Sequence, residues 1–397
     1  MLILQDISAR LTMQITRFIN AFKRLETPFY FYDLDILDQT LRTYTKFLRK
    51  YGYQAHYALK ANANPRILEI IQRAGLGADC VSGNEVQLAL DMGFDPDTIV
   101  YAGVGKSDKE IRTALQGGIF SFNCESVPEI RIINELASQT GKAAKISLRL
   151  NPNIDAHTNK HITTGRSRDK FGISEWMLDD VLKEIAAGSN IKLVGLHFHI
   201  GSQVTDMKVF ELLCQKVNDF QRWFESRGIR LEHINLGGGI AIDYNDPAGN
   251  PVSPFEAYFQ TINRTLEVRK GQKIHFEPGR AIVGQCGYLI SRVLYVKIGK
   301  GKKFVILDAG MNDLIRPALY GARHAICNIT SLSPGQEAYD VVGPVCESAD
   351  RFGLSVKMPV TGRGDLVAIC SAGAYGQVMG MRYNQRDLAP AYYSPDL

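Results

Sequence analysis

Short β-rich apolar runs alternate with amphipathic helical runs from about Tyr51 onward. This alternation is typical of α/β proteins with a parallel sheet. It predicts eight strands, at His56–Lys60, Ala78–Ser82, Ile99–Ala102, Phe120–Cys124, Lys145–Leu150, Val194–Ile200, His233–Gly237 and Lys273–Glu277. It predicts helices at Pro65–Ala74, Asn84–Met92, Asp108–Gln116, Val127–Ser138, Glu175–Ala187, Lys208–Arg227 and Pro254–Lys270. Eight strands separated by helices over about 250 residues indicate a (β/α)8 TIM-like barrel.

The pattern changes after Arg280, where strand-like runs follow one another with no long helix between them. These runs are Tyr288–Ile298, Lys303–Leu307 and Leu366–Ile369. A chain of 397 residues also exceeds what one hydrophobic core usually supports. We therefore expect a barrel over residues 29–280 and a second, mostly β domain, sandwich-like or barrel-like, over 281–397, joined by the N-terminal segment 1–28.

Composition limits the partners and the compartment. The chain is 45% hydrophobic and 22% charged, its net charge is +5, and it contains no run of five like charges. This predicts a globular protein with neither a nucleic-acid nor a membrane partner, while a modest preference for anionic ligands stays open. Seven cysteines without a CxxC pair indicate reduced thiols, and Asp6, Arg10 and Arg17 interrupt the apolar N-terminus. We expect a cytoplasmic protein.

Two motifs follow the last two predicted barrel strands. Strand seven runs into Gly237, Gly238 and Gly239, and strand eight ends in Glu277-Pro278-Gly279-Arg280. A glycine triplet alone usually marks a tight turn. In a barrel of this kind, however, phosphate sites are often built by the loops after strands seven and eight. The position of the glycines therefore indicates an anion site made of backbone N–H groups.

Lys60 and two histidines are further candidates for chemistry. Lys60 ends a predicted apolar strand, so its ammonium is paired or functional, unless the side chain reaches solvent from the strand end. His197 and His199 alternate on predicted strand six and are expected to share a face. They could bind a metal, fill the core, or stack on a flat cofactor in the case of His199. No accompanying ligand cluster supports the metal, so we expect none.

A lysine amine, a phosphate cradle, a stacking ring and a carboxylate together match the requirements of a pyridoxal phosphate site. Residues 57–62 (YALKAN), 197–202 (HFHIGS), 235–239 (NLGGG) and 277–280 (EPGR) resemble successive motifs of the barrel-type pyridoxal phosphate decarboxylases. The resemblance implies that Lys60 attaches the cofactor covalently, that His199 stacks on its ring and that Glu277 faces its pyridine nitrogen. It also implies further cofactor contacts from Asp79, Ser202, Gly237, Gly238, Gly239, Gly279, Arg280 and Tyr375.

Two motifs of the second domain are similar to the diaminopimelate branch of that family: residues 308–320 (DAGMNDLIRPALY) and 343–348 (GPVCES). In that branch a planar arginine fork matches a carboxylate. The resemblance implies that Arg280 and Arg316, with Tyr320 beside them, bind the distal carboxylate of the substrate. Glu347 would bind its distal ammonium, and Tyr375 would contact both substrate and cofactor. Cys346 would return a proton to Cα, from a loop shared across a homodimer interface.

The resemblance thus implies pyridoxal-phosphate-dependent decarboxylation of meso-2,6-diaminopimelate to L-lysine and CO2, a step of lysine biosynthesis. Alternatives are a decarboxylase of ornithine, arginine or carboxynorspermidine, an alanine racemase with the same barrel, a metal-dependent barrel hydrolase, and a non-catalytic pyridoxal-phosphate-binding homologue. The motif Lys170-Phe171-Gly172 also fits the family pattern, although its residues indicate no chemical role of their own.

Overall fold

The structure is a computed structural model that describes residues 14–154 and 170–397. The chain divides into two compact units and crosses between them after residues 40, 241, 253 and 279. We call the unit with residues 41–241 and 254–279 the barrel unit, and the other the β unit. The domain limits 29–280 and 281–397 expected from the sequence remain a prediction.

The barrel unit contains a closed parallel barrel. After β1 (Phe29–Tyr32), which belongs to the β unit, the next eight strands of the described chain pair in order and close on themselves. Closure joins the last strand to the first through the pairs Gln54–His275 and Ala55–Phe276. The strands are β2 (Gln54–Ala58), β3 (Gly77–Cys80), β4 (Ile99–Tyr101), β5 (Ser121–Cys124), β6 (Ala144–Arg149), β7 (Ile191–His197), β8 (His233–Asn235) and β9 (Lys273–Phe276). The barrel prediction is confirmed.

Two helices that were not predicted precede the barrel strands, α1 (Ile19–Phe22) and α2 (Leu34–Tyr51). Helices occupy all seven positions predicted between the barrel strands: α3 (Pro65–Arg73), α4 (Gly83–Asp91), α5 (Asp108–Gly117), α6 (Val127–Thr140), α7 (Leu178–Ala187), α8 (Met207–Glu225) and α9 (Phe255–Thr265). A capping box of Ser107 and Glu110 begins α5. The prediction that the last helix reaches Lys270 was wrong, because Asn218 bonds the Thr265 carbonyl and the Glu267 amide and so ends α9.

Seven of the eight barrel strands end one to three residues earlier than predicted, and just beyond three of them lies a candidate side chain that had been placed within the strand. Strand β2 ends at Ala58, so Lys60 lies in a 3₁₀ turn, Leu59–Ala61. Strand β7 ends at His197, which leaves His199 outside it, and β9 ends before Glu277. The prediction that Lys60, His199 and Glu277 lie within strands was therefore wrong by one or two residues. All three side chains belong to the segments that follow the carboxyl ends of the strands.

The β unit is built on one sheet whose order is β12-β15-β10-β11-β13-β14 among the described residues, with β1 paired to β10 and β16. Its strands are β10 (Gly287–Gly299), β11 (Lys302–Leu307), β12 (Ile326–Asn328), β13 (Gln336–Val342), β14 (Arg351–Pro359), β15 (Leu366–Ile369) and β16 (Ala391–Tyr393). Two short helices accompany them, α10 (Arg280–Val283) and α11 (Arg316–Tyr320). The prediction of a second, mostly β domain is confirmed.

The β unit contains a hydrophobic core. In the β unit, Phe22, Phe29, Phe31 and Ile290 belong to one buried apolar cluster. All seven cysteines are unpaired, and only Cys346 is exposed. Within residues 14–154 and 170–397, no helix combines the length and the apolar character that crossing a membrane requires.

Candidate active site

A lysine–aspartate pair lies at the carboxyl ends of the first two barrel strands. The Lys60 Nζ is 2.8 Å from Asp79 Oδ2, and Asp79 is fully buried while about a third of the lysine side chain is exposed. Asp79 Oδ1 is buried without a hydrogen-bond partner. Burial, and next the charge of Glu277, raise the pKa of Asp79 to about 7 against the opposing effect of Lys60. We call Lys60, Asp79, His197, His199 and Glu277 the barrel cluster.

Glu277 is the most fully hydrogen-bonded carboxylate of the barrel cluster. Its Oε1 accepts from Asn123 Nδ2 at 3.1 Å and from Asn235 Nδ2 at 2.8 Å, and its Oε2 contacts His197 Nε2 at 2.8 Å. Burial alone would raise the pKa of Glu277, but the charge and hydrogen bond of His197, together with Lys60, lower it well below the ordinary value. Glu277 is therefore a buried, fixed negative charge. Asn123 and Asn235 were not predicted.

The two histidines of the HxH motif have different surroundings. His197 is buried, and its Nε2 lies 2.8 Å from Glu277 Oε2, so its ring is not packed among apolar groups alone. His199 Nδ1 accepts the Gly238 backbone N–H at 3.3 Å. Burial, then the charges of Arg149 and Lys60, lower the pKa of His199 well below its ordinary value. Its ring is thus neutral and held beside the glycine loop.

The glycine loop that follows β8 cannot accommodate side chains. A Cβ on Gly237 would overlap the Phe198 carbonyl oxygen, and one on Gly238 would overlap that of Glu277. Gly237 and Gly239 also have φ values of 68° and 120°, where L-residues are strained. The chain therefore turns tightly at this rim, as a backbone anion site requires.

The Lys170-Phe171-Gly172 motif has a supporting role in the barrel unit. Glu125 accepts from Arg149 Nη1 at 2.8 Å and from the Gly172 N–H at 3.0 Å. The Arg149 guanidinium lies 4.7 Å from the centre of the Phe171 ring. The motif thus anchors the chain to the buried Glu125–Arg149 ion pair. The sequence alone did not indicate this role.

The β unit contains a second group of functional candidates, which we call the arginine cluster: Tyr244, Arg280, Arg316, His324 and Tyr375. Arg280 and Arg316 are each only 6% exposed. Arg280 Nη1 donates to Tyr244 Oη at 2.6 Å, and its guanidinium lies 4.8 Å from the Tyr375 ring centre. Arg316 Nη1 contacts His324 Nε2 at 2.8 Å. Tyr244 and His324 were not predicted, because neither lies in a motif that indicated function.

Burial and mutual repulsion act on these two guanidinium groups. Burial lowers the pKa of Arg316, with Arg280 adding to the effect. For Arg280 burial acts in the same direction, but Tyr244, Tyr375 and Tyr320 outweigh it and raise the pKa. Both groups remain charged at neutral pH. Tyr375 holds a left-handed φ of 55°, a strained conformation of the kind that clusters at binding sites.

The remaining predicted site residues include Cys346, Glu347, Ser202 and Gly279. Cys346 and Glu347 are exposed in the loop after β13, and Cys346 N donates to Asn384 Oδ1 at 3.0 Å. Neither side chain hydrogen-bonds to the arginine cluster in the described part of the chain. Ser202 is half-buried beyond β7, and Gly279 immediately precedes Arg280. Their proposed roles remain predictions.

Comparison with known proteins identifies the class. Residues 35–284 match the family model for the pyridoxal binding domain of pyridoxal-dependent decarboxylases. A diaminopimelate decarboxylase of Bacteroides thetaiotaomicron is 53% identical, over 96% of this chain and 98% of that protein. The fold, the barrel cluster and these matches define a barrel-type pyridoxal-dependent decarboxylase.

Solved structures narrow the class further. Diaminopimelate decarboxylase from Helicobacter pylori, in complex with L-lysine, matches with a TM-score of 0.88 at 40% identity, over 96% of this chain and 94% of that one. The enzyme of the same name from M. jannaschii matches with a TM-score of 0.88 at 32% identity, over 95% and 89%. The chain therefore belongs to the diaminopimelate decarboxylase family.

Pyridoxal phosphate, the cofactor of this family, fits the residues of the barrel cluster. Lys60 offers an amine, and Asp79 beside it has a buried oxygen without a partner. Glu277 supplies a fixed negative charge suited to a protonated ring nitrogen. The glycine loop offers a turn too tight for side chains, which suits a phosphate group.

Proposed function

We propose that this protein decarboxylates meso-2,6-diaminopimelate to L-lysine and CO2 with pyridoxal phosphate, in lysine biosynthesis. The observation that carries the substrate assignment is the arginine cluster. Arg280 and Arg316 are buried and charged, and the groups that hold them include a phenol and an imidazole. Such a pair suits a substrate with a carboxylate at its far end, which ornithine and arginine lack.

The barrel cluster prepares the reacting end. Lys60 would supply the amine that attaches pyridoxal phosphate, and the neutral ring of His199 would support the cofactor ring. Glu277, fixed by three hydrogen bonds, would stabilise the positive charge of the pyridine nitrogen. Ser202, the glycine loop, Gly279 and Arg280 would hold the phosphate. Asp79 keeps the Lys60 ammonium in place.

Bound pyridoxal phosphate supplies an electron sink for the pair left at Cα when CO2 departs. The protein then returns a proton to that carbon, and we assign this step to the thiol of Cys346. Glu347 receives the distal ammonium, while Arg280, Arg316 and Tyr320 bind the distal carboxylate. Tyr375, beside Arg280, contacts both cofactor and substrate.

Because Cys346 and Glu347 are exposed in this chain, we propose that their loop completes the site of a partner subunit in a homodimer. A monomer would then be inactive. We also propose that the enzyme acts in the cytoplasm, which its seven unpaired cysteines support.

A substrate panel tests the function. CO2 release is measured for meso-diaminopimelate, ornithine, arginine and lysine with purified protein and added cofactor. We expect release from diaminopimelate alone, and its loss in Lys60→Ala but not in Lys109→Ala, a matched change at an exposed lysine. Release from ornithine or arginine at a similar rate would contradict the substrate assignment, and full activity of Lys60→Ala would contradict the mechanism.

A further inference from the structure

Arg316 is held by neutral groups. Its Nη1 lies 2.8 Å from His324 Nε2, and its guanidinium lies 5.0 Å from the centre of the Tyr244 ring. Among residues 14–154 and 170–397, no carboxylate lies within ion-pair distance of Arg316. A buried guanidinium normally has an anionic partner. The positive charge of Arg316 is therefore available to an anionic ligand.

The hydrogen bonds of His324 fix its protonation state. Its Nδ1 is 2.8 Å from the Cys370 carbonyl oxygen, which can only accept, so Nδ1 carries the proton. Its Nε2 faces Arg316, which can only donate, so Nε2 presents a lone pair. Burial, and then the charge of Arg316, lower the pKa of His324 to about 3, in agreement with this tautomer. His324 therefore orients the guanidinium without neutralising it.

Tyr244 links the two arginines. Its Oη accepts from Arg280 Nη1 at 2.6 Å, and its ring meets His324 edge to face at 5.1 Å. The segment that carries Tyr244 is fixed by Gln285, whose Nε2 donates to the backbone carbonyls of Asp243 and Asn250 at 2.8 and 3.2 Å. Tyr244 is thus a rigid, uncharged support.

We propose that His324 and Tyr244 are positioning residues that orient Arg316 and Arg280 through uncharged groups, so that the guanidinium charge of Arg316 stays available to the distal carboxylate of the substrate. A carboxylate in place of either acceptor would orient the arginine equally well. It would, however, compete with the substrate for the same donors. This inference rests on the proposed function, because it assigns the arginines to the substrate carboxylate.

Binding of two product-like amines tests the proposal. L-Lysine retains the distal carboxylate, whereas 1,5-diaminopentane has the same chain without it. Affinities of the cofactor-loaded enzyme are measured by calorimetry for wild type, His324→Leu, His324→Gln, His324→Glu and Tyr244→Phe. Tyr295→Phe, at an exposed tyrosine of the same unit, is the matched control.

Loss of one hydrogen bond to a charged group should weaken L-lysine binding roughly 10- to 100-fold in His324→Leu and Tyr244→Phe. Binding of 1,5-diaminopentane should stay unchanged. His324→Gln, whose amide oxygen can accept from Arg316, should recover most of the lysine affinity. His324→Glu, which brings a competing charge, should bind lysine worst.

Equal losses for both amines would show a merely structural role and would overturn the proposal, as would unchanged lysine binding in all variants. If His324→Leu does not fold, the comparison of His324→Gln with His324→Glu decides in the same way. Failure of the wild type to release CO2 from diaminopimelate would instead contradict the proposed function. The affinities for the two amines report on the orientation of the arginines and do not depend on turnover.

Discussion

Replacement of Gly239 by alanine tests the glycine loop as the anion site of the barrel. An added Cβ at Gly239 would lie 2.7 Å from the Gly201 carbonyl oxygen, closer than real Cβ contacts come. The loop cannot easily withdraw, because the Gly239 carbonyl accepts the Val204 N–H at 2.8 Å. The backbone φ of 120° also disfavours any L-residue at this position.

These two effects set the expected magnitude. A non-glycine residue at such a φ costs about 1–3 kcal/mol, and overpacking against fixed backbone adds about 1–3 kcal/mol. The two costs arise from the same added Cβ and are therefore not fully additive. We therefore expect the free energy of unfolding to fall by about 2–4 kcal/mol and cofactor affinity to fall roughly 10- to 100-fold.

The assay is fluorescence titration of the cofactor-free protein with pyridoxal phosphate, together with urea unfolding. Gly362→Ala is the matched control, because a Cβ at Gly362 would meet nothing within 4 Å and its φ is not positive. Gly239→Ala protein that binds the cofactor as tightly as wild type and Gly362→Ala would refute the assignment of the phosphate to this loop.

Three further predictions concern Glu277, Cys346 and His324. Glu277→Gln removes the negative charge and places an amide N–H₂ against the donors of His197 or of the two asparagines. In steady-state kinetics kcat should fall about 100-fold or more. An unchanged kcat would exclude an electrostatic role for Glu277. Cys346→Ser should lower kcat at least about 10-fold with little change in KM, and a change confined to KM would contradict proton transfer. His324 has a folded pKa of about 3, so its contribution to stability is present above its ordinary pKa and is lost as pH falls below it. Between pH 7 and 5 wild type should lose about 2 kcal/mol more than His324→Gln in urea unfolding, and parallel losses would contradict a neutral, buried ring.

The barrel could be predicted because its signals are local. Each strand is a short apolar run, and several helices begin at visible caps such as Ser107 and Ser126. The ends of the strands were less predictable. Lys60, His199 and Glu277 extend apolar patterns by one or two residues, although the backbone has already left the ladder at those points.

The sheet of the β unit depends on contacts that sequence patterns do not encode. Strand β1 pairs antiparallel with β10 and parallel with β16, more than 250 residues further along the chain. Helix α2 (Leu34–Tyr51) was not predicted, although its amphipathic pattern could have been recognised before the first barrel strand. Register across such distances is set by packing of complementary faces and not by any one segment.

Some residues of the candidate site can be recognised in the sequence, and others cannot. Lys60, Glu277 and the glycine loop stand out because a charge or a glycine run interrupts an apolar stretch. The supporting residues do not stand out in the sequence. Asn123 and Asn235 lie within hydrogen-bond distance of Glu277 only in the folded chain, and His324 lies within hydrogen-bond distance of Arg316. Supporting residues of this kind are defined by geometry, which a single sequence does not contain.

Borohydride reduction followed by peptide mass mapping shows which lysine attaches the cofactor. We expect a pyridoxyl group on the peptide that contains Lys60, together with complete loss of CO2 release from meso-diaminopimelate in the reduced protein. A pyridoxyl group on another lysine, or reduced protein that still decarboxylates diaminopimelate, would contradict the role proposed for Lys60.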